Sequence, residues 1–188
     1  GAPPAGAHIH PHDSTLTNSM TGLETAGTTQ YVCAGWTMAG HDPASGTNTH
    51  MVLTLTNNAV LTWLWTTNYY LAASAGPHGT IDRFSGWLTN GEMAVINATP
   101  DSYYHFAAWT GSVATADNPL NLVMDAAKWV TATFAETWTT NKPTPEWWLA
   151  RYGITNRFEE AVTNDADGDG IPTGDEWVMN TDPTNGLS

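Results

Sequence analysis

The chain has 188 residues, of which 18 are acidic and 5 are basic, so its formal net charge is -13 at pH 7. The acidic excess argues against a nucleic-acid or anionic-membrane surface, and no run of 18 apolar residues is available to span a membrane. The single cysteine, Cys33, excludes an internal disulfide and is expected to be a buried thiol. Abundant Thr, Asn, Gly and Trp favour strands and turns.

Three histidines near the start of the chain form the first candidate site. His8, His10 and His12 alternate, so a strand would place their imidazoles on one face, where they could bind zinc or copper. Pro11 interrupts this strand, and Asp13 is the nearby acidic residue. A polar surface strand is therefore the favoured interpretation, and a metal site is the alternative.

An internal repeat follows. Tyr31–Thr37 matches Tyr104–Thr110, and Pro4-x-Gly6 matches Pro77-x-Gly79 at the same spacing along the chain, which we call the longer offset. Apolar positions further along match at a slightly shorter offset: Met51, Leu53, Leu55, Leu61, Trp63 and Trp65 correspond to Leu120, Leu122, Met124, Val130, Ala132 and Phe134. Two copies of one small module are therefore predicted to make up most of the protein.

Each copy is predicted to be antiparallel β. In the first copy, two alternating apolar runs flank Asn57-Asn58, a pair that favours a hairpin turn. In the second copy, Asp125–Ala127 is the corresponding turn and Lys128–Phe134 is the return strand. Another strand is expected over Glu92–Ala98, ended by a turn at Thr99-Pro100-Asp101 because proline cannot continue a hydrogen-bonded ladder.

The segment Ser74–Phe134 contains a series of spaced motifs: His78-Gly79-Thr80, Gly86-Trp87, Gly91, Ala98-Thr99-Pro100, Phe106-x-x-Trp109-Thr110-Gly111, Asn118-Pro119-Leu120 and Val130-Thr131-Ala132-Thr133-Phe134. With these motifs the segment resembles the divergent InlB B-repeat of bacterial proteins. The resemblance implies a compact β module with a structural or adhesive role on large secreted or surface-attached bacterial proteins. The first copy resembles the family more loosely, since it ends in the bulkier Trp63-Leu64-Trp65.

The first copy has no counterpart of the strand that opens the second. Asn68–Ser74 is a good strand, and at the longer offset its counterpart falls almost wholly before Gly1. We hypothesise that a strand from another chain fills this gap by edge pairing. The alternatives are that an upstream module has been removed and that the short edge is tolerated. Since the chain starts without an initiator Met or a signal peptide, we expect a processed product or an excised fragment.

The acidic tail is predicted to contain three short helices. Thr144 as N-cap and Pro145 as the first helical residue open a helix over Glu146–Tyr152, which Gly153 ends. Capping boxes predict the starts of the other two helices, at Asn156-x-x-Glu159 and Thr173-x-x-Glu176.

The segment Asp165–Glu176 fits the calcium-loop template D-x-[DN]-x-[DN]-G-x5-E at every specified position. A hard dication needs about six to eight oxygens, and alternate acidic residues on a curved loop can supply several of them. The predicted Ca2+ ligands are the side chains of Asp165, Asp167 and Asp169, the backbone carbonyl of Ile171, Thr173 through a water, and both carboxylate oxygens of Glu176. An acidic, solvated turn is the alternative.

Pro172 distinguishes this loop from a calmodulin-type EF-hand. It occupies loop position 8, where paired EF-hands exchange backbone hydrogen bonds, and proline has no N–H to donate. The loop resembles instead the dockerin-like or thrombospondin type 3-like calcium loops of secreted bacterial proteins, including the trailing Thr181-Asp182-Pro183. By that resemblance, Asp175 or Asp182 is a candidate for a further contact with the ion. Pro172 argues against a calcium sensor, and the presence of a single loop argues against a two-loop dockerin.

These features predict a mainly β protein, with two tandem small antiparallel β modules and a short α-helical calcium-loop tail. The predicted domains are residues 1–67, 68–137 and 138–188. The predicted function is that of a non-catalytic, calcium-binding structural or adhesive protein, extracellular on a bacterial surface. Self-assembly into a filament or surface layer is a candidate property, and the candidate partners are further copies of the chain or other surface proteins, bound through β-strand edges.

The main alternative is a carbohydrate-binding accessory module of a larger secreted enzyme. Ten tryptophans could provide stacking platforms for a polysaccharide. Trp36, Trp109, Trp63 and Trp65 occupy repeat or alternating positions that indicate core instead. An unrecognised enzyme is the third candidate.

Overall fold

The computed structural model describes residues 6–187 and is mainly β, as predicted. The strands are β1 (Thr15–Ser19), β2 (Leu23–Ala26), β3 (Thr29–Ala39), β4 (Ser45–Gly46), β5 (His50–Thr54), β6 (Val60–Ala75), β7 (Gly79–Ile81), β8 (Gly86–Thr89), β9 (Met93–Ile96), β10 (Ala98–Pro100), β11 (Tyr104–Gly111), β12 (Leu120–Val123) and β13 (Lys128–Glu136). The helices are α1 (Glu146–Arg151), α2 (Phe158–Ala161) and α3 (Thr173–Met179).

The chain divides into two compact units. Unit 1 consists of Gly1–Ala72, Ser85–Ala94 and Asn121–Trp129, and unit 2 consists of Ala73–Phe84, Val95–Leu120 and Val130–Ser188. The division into three domains at residues 67 and 137 stays a prediction.

Unit 1 is built around β3. This strand pairs antiparallel with β6, from Thr29 opposite Tyr69 to Ala39 opposite Val60, and also pairs with β2 and β4. Trp36 and Met38 alternate along β3 and therefore share one face of the sheet. They form a buried cluster with Met51 and Leu53 of β5. Cys33 is a buried free thiol, which confirms its predicted burial.

The hairpins predicted around Asn57-Asn58 and Asp125–Ala127 are not formed. β5 pairs with β1, with Leu53 opposite Leu16, whereas the next strand, β6, pairs with β3. In the same way, β12 pairs with β9 and β13 pairs with β11. Alternation of apolar residues locates a strand and its buried face, but it does not specify the neighbouring strand. The prediction was therefore right about the strands and wrong about their partners.

The internal repeat seen in the sequence coincides with equivalent strand pairs. Trp36 lies opposite Trp63 in the β3–β6 pair, and Trp109 lies opposite Ala132 in the β11–β13 pair. Both pairs also shift register at the same relative place, after Cys33 in β3 and after Phe106 in β11. The longer and shorter offsets equate these positions, so the repeat extends to strand register and to an irregularity in it. That the first copy is itself a B-repeat stays a prediction.

Unit 2 contains the paired strands β11 and β13, and β7 paired with β10. Trp109, Val130 and Ala132 are almost completely buried in it. The expected strand over residues 92–98 is shorter, and the expected turn at Thr99-Pro100 is wrong because both residues lie in β10. Pro100 is the last residue of that strand, where a missing N–H removes no internal ladder bond.

The three tail helices are present, but their predicted side-chain caps are not. The N-cap residues are Pro145, Arg157 and Pro172, and none makes a side-chain capping bond. Thr144 instead donates its hydroxyl to the carbonyl of Lys142. At the first of these helix starts, the threonine hydroxyl therefore bonds a nearby carbonyl instead of capping the helix.

Gly46 provides a test of packing in unit 1. A Cβ at Gly46 would lie 2.6 Å from ring carbon Cζ2 of Trp36. We expect Gly46→Ala to lower the free energy of unfolding by about 1–3 kcal/mol, because the indole must shift within a packed core. The matched control is Gly86→Ala, whose Cβ would meet no atom within 4 Å and should change stability by less than about 0.5 kcal/mol. Urea unfolding measures both, and equal effects would contradict the close approach at Trp36.

Candidate metal centre

The chain after α2 curves tightly before it enters α3. Asp165 accepts backbone hydrogen bonds from Gly168 at 2.7 Å and from Gly170 at 2.8 Å. Gly168 and Gly170 have φ values of 83° and 95°, a region that residues with a Cβ rarely adopt. Asp169 accepts a third such bond, from Ile171 at 2.7 Å. Glycine and aspartate together therefore produce the curvature that the motif predicts.

This curvature gathers three carboxylates. Ligand oxygens of Asp165, Asp167 and Asp169 all lie within 4.8 Å of one another. Like charges at this separation repel. Oδ2 of Asp167 is buried and has no hydrogen-bond partner among the described residues. An anionic set of oxygen donors matches the preference of hard divalent cations such as Ca2+.

Glu176, in the first turn of α3, is the buried member of the site. Its side chain is 0% exposed. Oε1 accepts a hydrogen bond from the Thr181 hydroxyl at 3.3 Å, whereas Oε2 has no partner in the described part of the chain. Burial raises the pKa of Glu176, and the negative charges of Asp167, Asp169 and Asp165 raise it further. A buried carboxylate in this environment is unfavourable unless a positive charge joins it.

The remaining candidate ligands are Thr173, Asp175 and Asp182. Thr173 is fully buried, and its hydroxyl oxygen has no partner within residues 6–187. Asp175 forms an ion pair with Lys142. Asp182 accepts hydrogen bonds from the backbone N–H and the hydroxyl of Thr184, at 3.0 and 2.7 Å. The structure thus gathers Asp165, Asp167 and Asp169 into one group, whose charges raise the pKa of Glu176. Asp175 instead has a cationic partner, Lys142.

The residue after Glu176 is the centre of an aromatic cluster. Trp177 has ring centroids of Trp138, Trp147 and Trp148 at 6.0, 6.1 and 5.4 Å, each in an edge-on arrangement. Such geometries add to the stabilisation from buried aromatic area. Trp148 also packs with Leu149 and Val162 in the core of the tail. Because Glu176 and Trp177 are adjacent in α3, the carboxylate is fixed by the packing of its neighbour.

A second acidic residue, Glu159, binds the backbone of the segment that leads into the tail. The Glu159 carboxylate accepts the backbone N–H groups of Thr140 at 2.8 Å and Asn141 at 3.0 Å. These bonds, first that of Asn141 and then that of Thr140, lower the pKa of Glu159. Next to them, Lys142 reaches Asp175 at the start of α3. Neither contact was predicted from the sequence, since no local motif links residues about 18 to 33 positions apart.

The histidine strand predicted at the start of the chain is not formed. Residues 7–11 have no regular secondary structure. The rings of His8 and His10 are 6.5 Å apart between centroids, and His12 contacts Asp13 at 3.0 Å. Pro11, which cannot take part fully in a ladder, gives a physical reason. Metal binding at these histidines was the alternative interpretation, and it stays untested.

The hydrogen bonds of Glu159 predict a dependence of stability on pH. A carboxylate whose pKa is lowered by folding stabilises the fold above its unfolded-state pKa, and this contribution is lost as the pH falls through the folded-state value. We therefore expect the melting temperature of the natural chain to fall more steeply below pH 4.5 than that of Glu159→Gln. Glu160→Gln is the matched control, because that carboxylate faces the exposed Arg157. Parallel pH profiles for the natural chain and Glu159→Gln would contradict the capping role.

Part of the chain is similar to a known domain family. Residues 69–137 match the family model of the divergent InlB B-repeat domain. This confirms the resemblance inferred from Ser74–Phe134, and the match does not extend to the first copy or to the tail. The matched family is a repeat-type domain of bacterial surface proteins and is not a catalytic family. No curated protein and no solved structure gives a significant match, and none of the described helices has the length and hydropathy of a membrane span.

Proposed function

We propose that the chain is a non-catalytic structural module of an extracellular bacterial surface protein, and that Ca2+ bound at Asp165–Glu176 rigidifies its tail. The observation that carries the calcium site is the fully buried Glu176 carboxylate, whose Oε2 has no partner among the described residues and which lies near three aspartates. The surface role rests on the B-repeat match at residues 69–137.

The proposed ligands are the six predicted from the sequence: Asp165, Asp167, Asp169, Ile171 through its carbonyl, Thr173 and Glu176. A bound Ca2+ would supply the positive charge that this set needs. The chain contributes the tight turns at Gly168 and Gly170, the fixed position of Glu176 beside Trp177, and exclusion of water from Thr173 and Glu176. The cation donates no chemistry beyond charge and coordination, which suits a structural role.

Calcium would act through linkage to folding. A ligand that binds only the folded state stabilises it by RT ln(1 + [L]/Kd). Extracellular calcium modules commonly have dissociation constants of about 0.1–1 mM, so such a site is occupied constantly outside the cell. Within unit 2, the stabilised residues include the Trp177 cluster, which contacts Trp138 immediately after the family match ends.

Replacement of Glu176 distinguishes a role as a metal ligand from a purely structural role of this residue. We expect Glu176→Gln to raise the calcium dissociation constant at least about tenfold, because charge and bidentate coordination are lost together. In EDTA, however, this variant should melt no lower than the natural chain, since it removes a buried charge without a counter-ion. Thr173→Ala should weaken binding less, because a water-mediated ligand carries no charge.

The measurements are calorimetric calcium titration, terbium luminescence sensitised by Trp177, and thermal unfolding in calcium and in EDTA. Glu160→Gln removes a carboxylate from the exposed face of α2 and should leave calcium affinity unchanged. Identical melting of the natural chain in calcium and in EDTA, or unchanged affinity in Glu176→Gln, would contradict the proposed site.

Carbohydrate binding is the second candidate function, and an exposed aromatic residue favours it. Trp129 of β13 is 58% exposed, whereas Trp36 and Trp109 are buried. We expect any saturable polysaccharide binding on a glycan array to be lost in Trp129→Ala and retained in Phe84→Ala, which removes a ring that is 91% exposed. Saturable binding that disappears with Trp129 would favour an accessory binding module over a purely structural one. A blank array would remove the second candidate.

A further inference from the structure

Strand β6 contributes to both copies of the repeat. Its residues Val60–Tyr69 pair with β3. At the other end, the backbone N–H of Gly76, just after β6, donates to the carbonyl of Ala132 at 2.8 Å, and the hydroxyls of Ser74 and Thr131 are 2.8 Å apart. β13 therefore has β11 on one edge and the end of β6 on the other.

Within residues 6–187, no strand covers the corresponding edge of the first copy. By the shorter offset, Leu61, Thr62 and Trp63 of β6 correspond to Val130, Thr131 and Ala132 of β13. β3 covers one edge of this segment. Among the described strands, the other neighbours of β6 are β8, which pairs only with Asn68–Leu71, and β13, which lies beside the last residues.

Equivalent residues of β6 are also more exposed in the first copy than those of β13 in the second copy. Val130 and Ala132 are 1% and 0% exposed, whereas their counterparts Leu61 and Trp63 are half-buried. The following residues, Leu64 and Trp65, are 41% and 37% exposed. A strand edge with exposed apolar side chains and free backbone groups is a template for pairing with another strand.

The start of the chain is chemically unsuited to repeat the contact made by Gly76. At the longer offset, Gly76 corresponds to Pro3, which lies outside the described residues. Proline has no N–H, so it cannot donate the bond that Gly76 donates to Ala132.

We propose that the Leu61–Trp63 edge of β6 binds an extended strand that runs on from the last strand of another B-repeat, as β6 runs on from the first copy to β13. The occupant is a segment of the Ala-Ser-Ala-Gly type, with a serine facing Thr62 and a backbone N–H donated to the carbonyl of Trp63. Main-chain pairing supplies the affinity, and small side chains allow close approach. The metal loop takes no part, so failure of the calcium test leaves this proposal standing.

A peptide in trans tests the edge directly. The probe is a fluorescent peptide with the sequence of Asn68–Pro77, titrated with the full chain and followed by anisotropy. We expect saturable binding with a dissociation constant below about 1 mM. A peptide with proline in place of Gly76 should bind at least about fivefold more weakly, because one backbone hydrogen bond is lost.

Two lysine variants of the chain locate the binding. Thr62→Lys places a charge at the proposed edge and should weaken peptide binding at least about tenfold. Thr54→Lys makes the same change at an exposed position of β5 and should leave binding unchanged. Equal affinities for the two variants would overturn the proposed location. A chain that is already dimeric in sedimentation, and monomeric only as Thr62→Lys, would assign the edge to a second copy instead and overturn the proposed occupant.

If the peptide binds too weakly to measure, the same strand can be tested as part of the chain itself. The sequence of Tyr69–Gly76 is placed ahead of Pro4, the counterpart of Pro77. This chain should melt at least about 2 °C higher than the same graft with proline at its last position. Equal melting temperatures, together with no saturable peptide binding, would overturn the proposal.

Discussion

The tail depends on a buried carboxylate that the described residues leave without a positive partner. Glu176 is 0% exposed, and Oε2 accepts no hydrogen bond within the described chain. Nearby aspartates add negative charge rather than relieve it, and they raise its pKa together with burial. The raised pKa favours protonation of Glu176 when no cation is present, whereas a bound cation, as in the proposed calcium site, would compensate the charged form.

Further contacts connect the tail to the segment of unit 2 that matches the B-repeat family model. Trp138 pairs as an isolated β-bridge with Pro145, and Tyr103, in the loop before β11, packs edge-on against Phe158 of α2. Two helices contact the segment Thr140–Lys142. Glu159 of α2 accepts the backbone N–H groups of Thr140 and Asn141, and Asp175 of α3 forms an ion pair with Lys142. The family match ends at residue 137, but the compact unit continues to the end of the chain. A cation in the loop would therefore stabilise tail residues that contact the family-matched segment 69–137.

Sequence and structure agree where the chemistry is local. The aspartate spacing and Gly170 predict a curved acidic loop, because consecutive residues make its turns. The two repeat offsets predict which positions are equivalent, and Trp36–Trp63 and Trp109–Ala132 are equivalent pairs. Strand partners depended on distant residues, so the hairpin at Asn57-Asn58 was wrong even though both of its strands exist. The predicted cap at Asn156 failed for the same reason, because the Glu159 carboxylate binds the distant backbone of Thr140 and Asn141. The predicted cap at Thr144 failed for a local reason, because its hydroxyl donates to the carbonyl of Lys142. The packing role of Trp177 could not be predicted from the sequence, because its tryptophan neighbours come together only in the folded structure. Its position directly after the last predicted ligand was the one signal in the sequence.

Hydrogen–deuterium exchange of the full chain with and without calcium tests the central claim most directly. A structural cation in this loop predicts that calcium slows exchange in Asp165–Glu176, and that protection extends through Trp177 to the Thr140–Lys142 segment. The strands β1 and β5 of unit 1 serve as an internal reference whose exchange should stay unchanged. Protection that is identical with calcium and with EDTA throughout residues 138–187 would contradict the proposal that a cation completes the buried site at Glu176.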